Sequence, residues 1–397
     1  MTYNEALEFL ESTAIFGIKP GLERISRLLF LLNDPQKKFP TLHVAGTNGK
    51  GSVCAMLESI CRESNLKTGL FTSPHLTNYR ERIRINGELI SEEKFADGIN
   101  RIKNLGVDAT QFEILTALAF LIFAEEKIDV GIIEVGLGGT LDSTNVIIPK
   151  VSIITNIAED HADKCIGEPG DSVIEGIARH KSGIIKSKIP VVTAAQGDAL
   201  KIISNRAKDL DAPISIYGRD FQPIEYDLNL RGEYQIENAS VASEAARIFG
   251  ISKESIQLGL KKARWAGRFE IFNYKNRIVV IDGAHNPAGA RALRLSLDKN
   301  FPNQRRVFLI GILRDKNFSE MLEILLRKSD SVVATMPDSP RAASAEEIAN
   351  AASRFANRVE IGNLNRALEI SDSESIVVIA GSLYLIGKIR GEITREK

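Results

Sequence analysis

Cysteine is scarce in this 397-residue chain: three residues, Cys54, Cys61 and Cys165. An odd, scattered set builds no disulfide framework and points to a reducing compartment. Cys54 and Cys61 fall in one expected helix and read as small core residues. Net charge is missing too, since 51 Lys and Arg balance 51 Asp and Glu. A balanced chain has no global field to draw it onto nucleic acid or a membrane surface, so neither is an expected partner. Anionic substrates must be gripped by local groups. The longest apolar runs are strand-sized, and Met1–Leu10, which contains Glu5 and Glu8, lacks the apolar stretch of a signal peptide. A cytoplasmic protein is expected. Internal repeats and low-complexity segments are also absent.

What is present is ordinary in bulk and ordered in pattern. Hydrophobic residues make up 44% and charged residues 26%, enough for a core in each of two domains at this length. Short β-branched runs alternate with amphipathic stretches, which predicts βαβ units on parallel sheets. Strands are expected at Leu42–Ala45, Thr68–Thr72, Asp129–Val135, Val151–Asn156 and Pro190–Ala194. Between the first two, Val53, Met56, Leu57, Ile60 and Cys61 recur on one helical face. From Ile214 to Arg231 the pattern turns short and irregular, and two helices follow. A second series has strands at Arg277–Ile281, Val307–Gly311, Ser331–Thr335 and Ser375–Ala380. The expected division is residues 1–268 and 269–397, with the second domain a smaller doubly wound unit.

Between the first strand and the helix lies Gly46-Thr47-Asn48-Gly49-Lys50-Gly51-Ser52. Glycines let backbone N–H groups approach an anion, a helix N-terminus adds partial positive charge, and Lys50 adds a mobile cation. A hydroxyl just after the lysine, Ser52, suits the magnesium that travels with ATP. The match to the ordinary phosphate loop is imperfect, because its first glycine falls at Val44 and Gly51 separates Lys50 from the hydroxyl. Glu134 ends an apolar strand and precedes Gly136-Leu137-Gly138-Gly139, a place suited to a magnesium-binding carboxylate. Asp160-His161 follows another strand; taken alone, such a pair is commonly a solvated loop. His43, inside a buried-looking strand, reads as a core histidine.

Taken together, these strings resemble the folylpolyglutamate synthase/dihydrofolate synthase branch of the Mur ligase superfamily. The resemblance rests on Gly46–Ser52, on Glu134–Gly139 followed by Leu141-Asp142-Ser143-Thr144-Asn145-Val146, and on Ile154–Ile157 with Asp160-His161. Further matches are Ile177–Lys186, Gly232–Ala239, Trp265–Glu270 and Asp282-Gly283-Ala284-His285-Asn286-Pro287. They occur in family order from about His43 to Gly387. The fold implied is a P-loop-containing, Mur-ligase-like central ATPase domain plus a smaller Rossmann-like C-terminal α/β domain.

The resemblance implies an ATP-dependent ligase that adds L-glutamate to dihydropteroate, to reduced folate, or to both through an acyl phosphate. Gly46, Thr47, Asn48, Gly49, Lys50, Gly51 and Ser52 would hold the nucleotide, with Gln235, Asn238, Arg268 and Asp282. Ser52, Glu134 and His161 would hold magnesium, two ions in all, and the family also admits a monovalent cation such as K+. Lys181 stands where the family carries a carbamoylated lysine, although His180 and Ser182 replace the usual Glu and Ala beside it. Lys50, Lys181 and His285 would act in catalysis. Thr72, Ser73, Pro74, His75 and Arg82 would hold the pterin-bearing substrate. Tyr234 departs from the family by standing where histidine is usual. A monomer is implied.

Two other readings compete. One is a Mur-type amide ligase with a non-folate acceptor, against which the Ser-Pro-His-Leu loop and the Gly-Thr-Asn-Gly-Lys-Gly-Ser form argue. The other is a nucleotide-switch ATPase, which would need neither the Asp282–Asn286 turn nor a second α/β unit.

Overall fold

A computed structural model describes residues 1–13, 17, 19–159 and 171–395. The chain divides into two compact units: Met1–Asn229 with Ile236–Arg264, and Leu230–Gln235 with Trp265–Lys397.

The first unit is built on eight strands: β1 (Thr41–Ala45), β2 (Thr68–Phe71), β3 (Ile83–Ile85), β4 (Glu88–Leu89), β5 (Val130–Glu134), β6 (Val151–Ile154), β7 (Val191–Thr193) and β8 (Ile214–Ile216). Their order is β4-β3-β2-β5-β1-β6-β7-β8. β2 through β8 by way of β5, β1, β6 and β7 run parallel, while β3 and β4 add antiparallel at one edge. β1 and β5 are buried at every position, as central strands covered on both faces must be, and this is why they read as unbroken apolar runs. The helix Gln111–Glu125 begins with a capping box between Thr110 and Glu113 and is buried from Glu113 to Phe123. It lies in the core with Leu28, Phe39, Phe71 and Phe95. On that scale each fully buried aromatic or Leu side chain contributes roughly 1.5–3 kcal/mol.

The second unit has six strands: β9 (Glu270–Tyr274), β10 (Arg277–Ile281), β11 (Arg305–Ile310), β12 (Ser331–Ala334), β13 (Arg358–Ile361) and β14 (Ser375–Ala380). Their order is β13-β12-β11-β14-β10-β9, and only β9 is antiparallel to its neighbour. All six residues of β14 are buried. Apolar residues from the sheet and its helices, among them Val280, Leu293, Phe308 and Leu322, form the core.

Two strands here escape the sequence pattern. β9 pairs with β10 through a two-residue turn, Lys275-Asn276, whose φ angles are both positive (48° and 58°). That is the conformation a tight hairpin requires, built without the usual glycine. Without a glycine, the hairpin carries no turn signal in the sequence. β13 reads Arg-Val-Glu-Ile, and at the sheet edge it stays partly exposed, so its composition carries little apolar signal. No helix among the described residues is long and apolar enough to cross a membrane.

Candidate functional site

In the first unit the carboxyl ends of β1, β5 and β6 carry the loops that sequence marked. β1 runs into Gly46, and the helix Lys50–Glu63 starts at Gly49. Its N-cap is Gly49 at φ 86°, with no side-chain cap. The helices Tyr3–Ser12, Glu92–Lys103, Gln111–Glu125 and Val173–Ser182 are each capped by a Ser or Thr side chain instead. A helix start that gives its orphan N–H groups no capping oxygen suits an anion.

The loop is braced from outside. Asn156 accepts from Asn48 N through its side chain at 3.1 Å and from Thr47 N through its carbonyl at 2.9 Å. Thr155 Oγ1 donates to Asn48 O at 2.6 Å. A Cβ at Gly46, where φ is 148°, would fall 1.7 Å from Thr155 Oγ1, and one at Gly49 would fall 2.2 Å from Asn238 Oδ1. Those two glycines are therefore required by the protein's own side chains as well as by backbone conformation. Asn238 braces the loop from the helix Tyr234–Phe249.

Two ammonium groups converge on one carbonyl. Lys50 Nζ donates to Gly46 O at 3.0 Å and to Thr47 O at 3.2 Å. Lys181 Nζ reaches the same Gly46 O at 2.8 Å. Lys181 is 7% exposed, so it is no surface lysine. It comes from the helix Val173–Ser182, against which the glycine-rich turn after β5 is packed. A Cβ at Gly139 would meet His180 O at 2.5 Å and Lys181 Cα at 3.0 Å.

Glu134 ends β5, is 4% exposed, and its Oε2 accepts from Ser73 N at 2.9 Å. That bond ties the Thr72–His75 loop to the candidate metal carboxylate. Thr72 N donates to Arg82 O at 3.0 Å, and Arg82 Nε donates to His75 Nδ1 at 2.9 Å. The His75 ring lies 4.3 Å from that of Tyr79. Burial, with Arg82 beside it, pulls the His75 pKa down to about 4, so it is neutral at pH 7. Ser52 is buried on the first turn of the loop helix. The described residues contain no cluster of three or more His, Cys, Asp or Glu groups able to hold a metal. His161 and Cys165 lie outside the described residues. Cys54 and Cys61 are free and buried; burial pushes the Cys61 thiol up to about 12.

His43 heads a network that the sequence did not announce. Thr144 Oγ1 donates to Asp142 Oδ1 at 2.5 Å, so its single proton is spent, and the 2.8 Å contact with His43 Nε2 has the imidazole as donor. Burial lowers the His43 pKa to about 3, consistent with a neutral ring. Asp142 also accepts from Thr144 N at 3.0 Å and from Leu137 N at 2.9 Å, which holds the glycine-rich turn. Burial raises the Asp142 carboxyl above its ordinary value. Thr144→Val keeps the volume but strips the His43 donor and one Asp142 acceptor of a partner. It should cost on the order of 1–3 kcal/mol in thermal unfolding, whereas Thr144→Ser should cost far less.

In the second unit the turn after β10 holds Asp282 to Asn286. Asp282 is 4% exposed. Its Oδ2 accepts from Tyr234 OH at 2.7 Å and Phe269 N at 2.8 Å, and its Oδ1 from Ala284 N at 2.9 Å. Burial raises its pKa, against the opposing pull of Arg268. Arg268 lies over the turn: a Cβ at Gly283 would fall 1.8 Å from its guanidinium. His285 Nδ1 is 2.7 Å from Gly283 O, and since that carbonyl can only accept, Nδ1 carries the proton. Asn286 caps the helix Pro287–Asn300 through Gly289 N at 2.8 Å. Gln235 is fully buried.

Comparison with known proteins bears on the whole chain. The profile of the Mur ligase middle domain matches residues 44–220, and that of the Mur ligase, glutamate ligase domain matches residues 267–383. A dihydrofolate synthase/folylpolyglutamate synthase from Bacillus subtilis is 36% identical, with 98% of each chain covered. The solved structure of E. coli FolC in complex with DHPP and ADP superposes with a TM-score of 0.90 at 30% identity, covering 100% of this chain and 98% of that one. The bifunctional folylpolyglutamate synthase/dihydrofolate synthase of Yersinia pestis, complexed with AMPPNP and a Mn ion, gives 0.89 at 28%, covering 99% and 98%.

Proposed function

Because the chain belongs to the Mur ligase family, in its folylpolyglutamate synthase/dihydrofolate synthase branch, we propose that it is an ATP-dependent ligase joining L-glutamate to dihydropteroate, to reduced folate, or to both. The observation that carries this reading is the convergence of Lys50 and Lys181 on Gly46 O at a helix start without a side-chain cap. A glycine-rich loop that brings lysine side chains to the N-terminal end of a helix is a place where the negative charge of a polyphosphate is met.

The residues fit the groups this reaction needs. Gly46 to Ser52 would cradle the phosphates, with Asn238 setting the position of Gly49. Ser52 and Glu134, with His161, would hold divalent metal; a carboxylate and a hydroxyl are hard oxygen donors of the kind magnesium prefers. Metal bound there would neutralise charge on the phosphoryl oxygens. Whether one or two ions bind, and whether K+ joins them, follows the family pattern in this proposal: two divalent ions and a monovalent site. The neutral His75 and its Arg82 partner would help hold the acceptor, through the loop that Ser73 N fastens to Glu134.

A carboxylate does not condense with an amine in water, so the acceptor's carboxyl group must first be activated. In the proposed sequence the γ-phosphoryl group moves to that carboxylate, giving ADP and an acyl phosphate. The amine of glutamate attacks the acyl carbon, phosphate leaves, and the amine proton goes to solvent or a nearby base. Lys50 and Arg268 serve to offset negative charge on phosphoryl oxygens, and His285 to meet the phosphate or the incoming glutamate. A carbamoyl group on Lys181 would replace its ammonium with an anionic oxygen donor. The enzyme is proposed to act as a cytoplasmic monomer.

Phosphate release should depend on all three substrates together. With ATP and magnesium present, omitting either glutamate or the pterin-bearing acceptor should drop release to background. Release that ignores glutamate would favour a nucleotide switch instead.

A further inference from the structure

The second unit holds a bond that the ligase reading leaves without a task. Tyr234 OH donates to Asp282 Oδ2 at 2.7 Å. The other two donors to that carboxylate are backbone N–H groups, Phe269 N and Ala284 N. Each donor sits next to a residue placed in the proposed site: Tyr234 precedes Gln235, Phe269 follows Arg268, and Ala284 precedes His285. One buried carboxylate thus fastens three separate stretches of backbone. Both of its oxygens are taken up by donors of the same unit, which makes Asp282 a fixture of the frame before any nucleotide is considered.

The stretch with Tyr234 is held at neighbouring points as well: Gln235 N donates to Gly232 O at 2.9 Å, and Gln235 is fully buried. Glu233 N donates to Ser296 Oγ at 3.0 Å, and Glu233 pairs with Lys299 at 2.8 Å. The latter is an exposed ion pair, a weak restraint. Gly232 has φ 104°, and a Cβ there would come 2.9 Å from the Tyr234 ring, so the chain passes tightly beneath the ring. Phe269 itself has φ 47°, a left-handed conformation that an aromatic residue adopts only when its surroundings enforce it. The bond from Phe269 N to Asp282 is part of that enforcement.

We propose that Tyr234 is a positioning residue for the ligase reaction: by donating to Asp282 it keeps the backbone stretches bearing Gln235, Arg268 and His285 in a single frame. The proposal rests on the ligase reading for the word reaction, but not for the frame. The tyrosine hydroxyl reaches the carboxylate with a neutral O–H donor, and the bond is strengthened when the acceptor is ionised.

The test uses the full chain. Tyr234→Phe removes one hydroxyl and keeps the ring over Gly232. Turnover with saturating ATP, acceptor and glutamate should fall about 10-fold, the worth of one hydrogen bond to a charged group, while KM for ATP changes less than kcat. Tyr234→His, which can offer an N–H to Asp282, should recover most of the loss. Amide exchange at Phe269 and Ala284 should quicken in the Phe variant by about 10-fold, through local opening, while Ile281 in β10 stays as it was. A Phe variant with wild-type kcat and an active parent overturns the proposal, as does a loss of turnover with unchanged exchange at those two amides. A parent chain without glutamate-dependent turnover sinks the ligase reading alone; the exchange arm then still decides whether Tyr234 holds the frame.

Discussion

Lys50→Ala should lose well over ~10²-fold in turnover, the range found when one electrostatic stabiliser is removed from an active site. The structure explains why so large an effect need not come from misfolding. Lys50 Nζ bonds two carbonyls of its own loop, Gly46 O and Thr47 O. Losing those bonds costs on the order of 1 kcal/mol. The loop keeps its braces from Thr155, Asn156 and Asn238. Thermal unfolding of the variant should therefore stay close to that of the parent while the chemistry collapses. Lys50→Arg should recover little, because a planar guanidinium fork does not occupy the place of a compact ammonium. Steady-state turnover and a melting curve on the same preparation check both halves, and near wild-type turnover in the alanine variant would refute the role assigned to Lys50.

Glu134→Gln should lower turnover on the order of 10²-fold and raise the magnesium concentration needed for half-maximal rate. The substitution is close to isosteric. The amide oxygen of glutamine can still accept from Ser73 N, the bond that now spans 2.9 Å to Glu134 Oε2, so the Thr72–His75 loop should stay fastened. What disappears is the negative charge. A purely structural role for Glu134 would leave the magnesium dependence where it was, and a magnesium titration of both proteins reads the difference directly.

The fold was legible where strands are buried on both faces. β1, β5 and β14 announce themselves as unbroken apolar runs because the sheets leave them no solvent face. β9 and β13 did not, for opposite reasons: one is joined by a turn without glycine, and the other is an edge with charged residues. The glycine-rich string after β1 stood out because glycines, a lysine and a hydroxyl in one short stretch are what a phosphate cradle would demand. That Lys181 would reach Gly46 O from 135 residues away was not, since nothing local in the chain encodes which carbonyl a distant lysine meets. The family resemblance marked Lys181, and the fold gave its partner.

His43 shows the same boundary from the other side. Its place inside an apolar strand predicts a core histidine, and it is buried. The direction of its hydrogen bond comes only from the single proton of Thr144 and the carboxylate beyond it. Asp282 was read as a nucleotide contact from the resemblance. Its three donors within the second unit give it a further role that no string in the sequence displays.

The most direct measurement is the mass of the product formed from ATP, magnesium, L-glutamate and either dihydropteroate or tetrahydrofolate. The account predicts an acceptor heavier by one glutamyl residue in an amide bond, with one ADP and one phosphate released for each bond made. ATP consumed with both acceptors returned unaltered would contradict it.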